Sequence, residues 1–332
     1  MPVATLRNGK RFEVDARASI LNAALSQDVV LEYSCRTGRC GVCKVGVTAG
    51  TTREIQPEES LTAADVAAGR ILTCCRTADT DITLDVADLG RLAGRQPHTV
   101  PARIAGISPL SPTIMCVSLR FPPTAAVDFV PGQYLDIIHR GVRRSYSIAN
   151  APRADRTIDL HIRRFDGGVL SGYWFDEAAT GDLLRVELPL GTFFLRDDPA
   201  DTILFLATGT GIAPVRAMLE EIAASPALAG GARLLIYWGN RHVEDFYWQA
   251  PAGVVTGFYP ILSRPVPSWT GRTGHVQDAV IADGIDMSTC ITYACGSQAM
   301  IETAGLRLRD LGLPDHNYYF DAFVSSASVE QT

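Results

Sequence analysis

Hydrophobic and polar positions change rhythm along this chain, and the changes divide it into regions. In "ATLRNGKRFEVDA" apolar and polar residues alternate about Asn8-Gly9, a favoured tight-turn pair, which predicts a β-hairpin. "SILNAALSQDV" has helical spacing, and Thr62 followed by Asp65 makes a capping box that opens a helix in "TAADVAAGR". Strand-like alternation returns from "ILTCC" to "ITLDVADL". Residues 1–92 therefore read as a small α+β unit. "GRLAGRQPHTVP" is polar and bracketed by glycine and proline, which places a linker at residues 93–101.

Over residues 102–198 short alternating segments are punctuated by Pro and Gly: "TIMCVSLRF", "QYLDIIHR", "RRSYSIA", "TIDLHIRRF" and "DLLRVELPL". That spacing predicts a small antiparallel barrel. After "TILFLATGTGIAP" continuous apolar strands (202–208, 233–238, 290–295) alternate with helices (213–224, 274–282, 298–311), as in a parallel α/β sheet. This region runs over 199–324, and the polar tail 325–332, "SSASVEQT", is expected to be disordered.

Composition narrows the classes. A chain of 332 residues suggests two or three domains, and 47% hydrophobic with 20% charged residues is ordinary for a soluble protein. The net charge of −6 gives no basic surface for nucleic acid. The first twenty residues lack an apolar core of signal-peptide length, and no stretch reaches the ~18 apolar residues needed to span a bilayer. Neither a nucleic acid nor a membrane is expected as a partner, and a cytoplasmic location follows, where clustered cysteines more often hold metal or do redox chemistry than form disulfides.

Such a cluster occurs in "YSCRTGRCGVCKVG". Cys35, Cys40 and Cys43 have the C-x4-C-x2-C spacing of plant-type [2Fe–2S] sites, whose fourth ligand lies further on, and "ILTCC" supplies it. Ser34, Gly38 and Gly41 let the loop wrap closely and aim backbone N–H groups at sulfur. Zinc is the rival, but only one C-x2-C knuckle is present. Four merely buried thiols would leave the glycine-rich loop unexplained. Arg36, Arg39, Lys44 and Arg76 crowd the cysteines, either as a solvated rim or as charges that offset an anionic cluster and dock an acidic acceptor. Cys116 and Cys290 sit in apolar strand patterns and read as core thiols.

"RRSYSIANAP" combines a cation, an aromatic and a hydroxyl at strand spacing, with Arg144 and Tyr146 on one side and Ser145 and Ser147 on the other. Downstream, Gly168 and Ser171 form a G-x-x-S able to open a helix and present N–H donors to a pyrophosphate. "LATGTGIAP" is a strand entering a glycine-rich turn and then a helix. It is not the Rossmann G-x-G-x-x-G, because Pro214 occupies the third-glycine position. "YACGSQAM" ends another strand, where ligands sit in open α/β sheets.

Taken in order, R-x-Y-S, G-x-x-S, "GTGIAP", "CGSQAM" and the ending "FDAFV" resemble the ferredoxin–NADP reductase superfamily, here with an N-terminal plant-type ferredoxin-like unit. The resemblance implies a β-grasp [2Fe–2S] domain, a six-stranded antiparallel FAD-binding barrel and a parallel α/β nicotinamide-nucleotide domain. Leu72-Thr73-Cys74 resembles the L-T-C of plant-type ferredoxins, which makes Cys74 the fourth ligand beside Cys35, Cys40 and Cys43, and Cys75 a packed apolar residue. By the same likeness Arg144 holds the FAD pyrophosphate, Ser145 and Tyr146 belong to the flavin site with Tyr146 on the isoalloxazine, and Ser147 bonds near N5. Gly168, Val169 and Ser171 lie at the phosphates, and His161, Ile162 and Arg163 line the dinucleotide. Thr208, Gly209, Thr210 and Gly211, with Cys295 and Gly296, would take the nicotinamide nucleotide. Cys295 and Asp321 support hydride transfer with Ser147, and Phe323 covers the flavin until nicotinamide displaces it. Ser263 and Arg264 stand where a 2′-phosphate could be gripped, yet also suit an NADH enzyme, and NADH is the expected donor. The resemblance further implies an electron-accepting partner protein, a dehydrase of deoxysugar synthesis or the oxygenase component of a multicomponent system. A non-catalytic redox sensor is the remote alternative.

Overall fold

A computed structural model describes residues 1–324, and the tail expected at 325–332 lies outside the described residues. The chain divides into two compact units, one over residues 1–96 and one over residues 97–323. No helix among the described residues is long and apolar enough to cross a membrane.

The first unit is a five-stranded mixed sheet in the order Arg11–Glu13, Val3–Leu6, Ile82–Leu84, Lys44–Ala49, Arg70–Leu72. Val3–Leu6 runs parallel to Ile82–Leu84, and the other pairings are antiparallel. Val3–Leu6 alternates, so Ala4 and Leu6 face a core shared with Ile20, Leu21 and Ala24 of the helix Ile20–Ser26. Ser19 caps that helix by accepting from the Asn22 amide. The expected capping box is formed: Thr62 and Asp65 bond reciprocally at the start of the helix Ala63–Ala67. A helix placed across a sheet in this way is the β-grasp arrangement.

In the second unit six antiparallel strands run in the order Val142–Ser147, Tyr134–His139, Leu183–Leu190, His98–Ser111, Ile114–Arg120, Thr157–Arg163. A bridge from Ile148 to Leu160 joins the two ends and closes the barrel. Its longest strand, His98–Ser111, begins inside the stretch expected as linker. The second proline of that stretch misled: Pro101 pairs with Arg185 on one side only, before the second neighbour joins at Arg103, so its missing N–H is tolerated as on an edge strand.

The rest is a six-stranded parallel sheet ordered Arg272–Thr273, Gly257–Leu262, Arg233–Asn240, Thr202–Thr208, Cys290–Ser297, Tyr318–Phe323. Its central strands Arg233–Asn240, Thr202–Thr208 and Cys290–Ser297 are buried on both faces, which explains their unbroken apolar runs. The chain leaves Thr202–Thr208 for one side of the sheet and later returns to its other side at Cys290–Ser297. Strand order thus reverses there, and the crevice beyond those strand ends is where open α/β sheets take ligands.

Candidate functional site

The cysteine loop carries its chemistry on backbone shape. Gly38 and Gly41 adopt φ of +79° and +76°, and a Cβ on Gly38 would lie 2.1 Å from the Pro57 carbonyl oxygen, so the loop is threaded where no larger residue fits. The sulfurs come as two pairs. Cys43 Sγ lies 3.3 Å from Cys74 Sγ, and the Cys40 thiol hydrogen-bonds that of Cys35. The bond from Cys40 lowers Cys35 to about 5 and the bond from Cys43 lowers Cys74 to about 3, while Cys40 and Cys43 are driven up by the same bonds and by burial. Among the described residues no three Cys, His, Asp or Glu groups close on one point. Two pairs suit a binuclear cluster, which takes two thiolates on each iron, and this donor set fits [2Fe–2S]. Cys75 Sγ lies 3.4 Å from Cys74 Sγ and at the same distance donates to the Pro57 carbonyl, so it borders the two pairs without joining either. Of the basic residues near the loop, Arg39, Lys44 and Arg76 are paired with Glu59, Asp65 and Glu58, whereas Arg36 bonds the amide oxygen of Asn22.

At the barrel, the strand Val142–Ser147 carries R-x-Y-S. Arg144 has no carboxylate partner among the described residues and bonds only the Arg143 carbonyl, which leaves its charge for an anion. Tyr146 receives a 2.9 Å hydrogen bond from Trp174 Nε1, and burial raises its hydroxyl to about 12. Ser145 donates to Asp136 at 2.6 Å on the other side of the strand. Gly168 caps the short helix Val169–Gly172, and Ser171 Oγ accepts from the Phe165 amide. A Cβ on Gly168 would come within 3.2 Å of Ser171 Cβ, so a larger residue there would crowd the turn. An unpaired arginine, a part-buried tyrosine and this turn fit a flavin dinucleotide.

The strand Thr157–Arg163 alternates in sequence but is buried almost throughout, its polar positions included. Ile162 packs in the barrel core. His161 is held between Arg216 Nη1 at 3.2 Å and the Tyr247 hydroxyl at 3.1 Å, and burial, then Arg216, lowers it to about 3, which keeps it neutral. Both Nη atoms of Arg163 are taken by Asp245. These three side chains therefore serve packing and the contact with the α/β region more than an open cleft.

At the switch in strand order, Thr208 leads into the turn Gly209–Gly211 and then the helix Ile212–Ala224. Trp238 Nε1 fixes the turn by donating to the Gly209 carbonyl at 2.9 Å. Cβ atoms on Gly211 and Gly296 would each lie 2.2 Å from an oxygen, of Cys295 and Thr208 respectively, so turn and strand end are in backbone contact. Thr208, Gly209, Thr210, Gly211, Cys295 and Gly296 thus form one rim, and backbone at a helix N-terminus fits a pyrophosphate. Cys295 is fully buried, its thiol raised by burial and then by Asp321, its register partner on the next strand. Asp321 Oδ2 stands 3.5 Å from Ser147 Oγ. The structure thereby brings together Ser147, Cys295 and Asp321 from three distant parts of the chain. Phe323 ends the same strand, 41% exposed. Sequence reasoning missed Asp245, Arg216 and Tyr247, since no spacing marks them and only the folded contact gives them a role.

Three family models match in order: the 2Fe-2S iron-sulfur cluster binding domain over residues 4–79, the oxidoreductase FAD-binding domain over 101–195 and the oxidoreductase NAD-binding domain over 205–305. The chain is 41% identical over 327 residues to CDP-6-deoxy-L-threo-D-glycero-4-hexulose-3-dehydrase reductase of Yersinia pestis, covering 96% of this chain and 97% of that one. It is 31% identical to the phenol hydroxylase P5 protein of Acinetobacter pittii, covering 96% and 93%. Among solved structures it is similar to the Amycolatopsis cytochrome P450 reductase GcoB, with a TM-score of 0.76, 27% identity, and coverage of 98% and 99%.

Proposed function

Because the chain belongs to the iron–sulfur flavoprotein reductases of the ferredoxin–NADP reductase superfamily, we propose that it is a CDP-6-deoxy-Δ3,4-glucoseen reductase, passing electrons from NADH to a dehydrase of deoxysugar synthesis. As an oxidoreductase of this family it moves electrons from a nicotinamide nucleotide through FAD to [2Fe–2S]. FAD supplies the conversion between a two-electron hydride donor and a one-electron centre.

The chain's own residues do the rest. Arg144, with the turn at Gly168, Val169 and Ser171, binds the flavin pyrophosphate, and Tyr146 packs against the ring. Gly209–Gly211 and Gly296 present backbone N–H groups to the nucleotide. Ser147 and Asp321, 3.5 Å apart, place a hydroxyl donor and a carboxylate acceptor at the meeting point of the two rings. Cys295 gives that point a small, uncharged, dry wall, since its buried thiol stays protonated. Phe323 shields the site when nicotinamide is away. Cys35, Cys40, Cys43 and Cys74 hold the cluster. The Ser263 hydroxyl is committed to the Asn240 carbonyl, which favours NADH over a nucleotide that needs a 2′-phosphate grip. A thiolate cluster site together with eight cysteines, none in a disulfide, suits the reducing cytoplasm.

The observation that carries the dehydrase as partner is the end-to-end 41% likeness, against 31% for the phenol hydroxylase relative. The test is rapid mixing of NADH-reduced protein with the dehydrase or with an oxygenase component. Reoxidation should be fast with the dehydrase alone; fast reoxidation by the oxygenase component alone would reassign the partner. Cys40→Ser should abolish delivery yet leave flavin reduction by NADH intact, because hydride transfer comes first.

A further inference from the structure

We propose that Asp245 is the positioning residue that seats the nicotinamide-binding region on the flavin barrel, with Arg163 as its counter-ion. The proposal rests on the reductase reading above. Asp245 ends the turn Val243–Asp245, and its side chain is only 1% exposed. Every side-chain donor it receives comes from the barrel. Ser111 Oγ and Thr113 Oγ1 donate to Oδ1 at 2.9 and 3.0 Å, and Arg163 Nη1 and Nη2 donate to Oδ2 at 3.2 and 3.1 Å. Ser111 and Arg163 both register with Ile114, so the donors converge on one barrel corner.

Arg163 also lies under the nucleotide turn: a Cβ on Gly209 would stand 3.3 Å from its Nη2. One guanidinium thus touches the carboxylate that anchors the region and the turn that grips the nucleotide. Asn240 Nδ2 holds the Asp245 carbonyl at 3.3 Å, which stiffens the turn that carries the carboxylate. Apolar packing between the two parts would tolerate sliding. A buried carboxylate taking four directed hydrogen bonds, two of them charge-assisted, tolerates little. Hydride transfer needs that precision, because a misplacement of about 1 Å can cost ~100-fold in rate. Asp245 touches neither reacting ring and acts through the orientation of the region that carries it.

The test is Asp245→Asn in the cofactor-loaded protein. The limiting rate of flavin reduction at saturating NADH should fall roughly 10- to 100-fold, while KM for NADH and flavin content stay near wild type. Hydrogen exchange should rise at residues 111–113 and 243–247. A lowered melting temperature with an unchanged limiting rate would reduce Asp245 to a structural residue and overturn the proposal. A raised KM with an unchanged limiting rate would make Arg163 a nucleotide ligand and overturn it equally. Should the variant not fold, Ser111→Ala combined with Thr113→Ala keeps the ion pair and should lower the same rate roughly fivefold; a wild-type rate there overturns the proposal. Wild-type protein that NADH does not reduce would strike at the reductase reading instead, so the two failures are distinct.

Discussion

Cys74 and Cys75 are chain neighbours whose sulfurs lie 3.4 Å apart, yet each has its own further partners. Cys74 Sγ faces Cys43, while Cys75 Sγ lies among Pro57, Gln56 and the bare Cα of Gly38. Cys74→Ser should lose iron and the visible absorption of the cluster. Cys75→Ser should keep both, at a stability cost of about 1–3 kcal/mol for a buried hydroxyl. Equal iron loss in the two variants, measured by iron content per chain, would remove the assignment. The spacing of Cys35, Cys40 and Cys43 was legible because ligand geometry acts locally along a loop. The choice between adjacent cysteines was legible only through family likeness, since the strand that follows decides which sulfur turns inward.

At the scale of elements, "GTGIAP" and "YACGSQAM" could each be read as a strand end with glycines, but their mutual contact could not. Gly211 has an ordinary φ of −60°, so its glycine is required by close approach to Cys295 and not by backbone conformation. Gly211→Ala should push the turn off the strand Cys290–Ser297. KM for NADH should then rise at least tenfold, stability should fall by about 1–3 kcal/mol, and FAD content should hold. An unchanged KM would separate that turn from nucleotide binding. The strand His98–Ser111 was the element least visible in advance, because Pro101 and the glycines before it look like a linker until a pairing partner is known.

For the whole molecule, the buried His161 ties stability to pH. Its ordinary value is 6.5, and burial holds it near 3 in the folded chain. Arg216 opposes its protonation, Asp159 favours it, and the Tyr247 hydroxyl faces it. Below pH 6.5 the unfolded chain gains a proton that the folded chain refuses. The stabilisation is therefore complete above about 6.5 and drains by up to ~1.4 kcal/mol per pH unit as pH falls towards 3. His161→Asn should flatten that part of the unfolding profile for residues 97–323; an identical slope in both proteins would show the histidine to be solvated.

The order of the three regions, their fold classes and the iron–sulfur ligand spacing were determined by the sequence alone, because periodicity and short-range spacing are properties of consecutive residues; the flavin and nicotinamide chemistry came through the family resemblance of its motifs. Folding alone decided that Ser147, Cys295 and Asp321 meet, that Arg163 turns to Asp245, and that His161 stays neutral. Each of these depends on residues tens or hundreds of positions apart, and on burial that exists only once strands from both regions have packed.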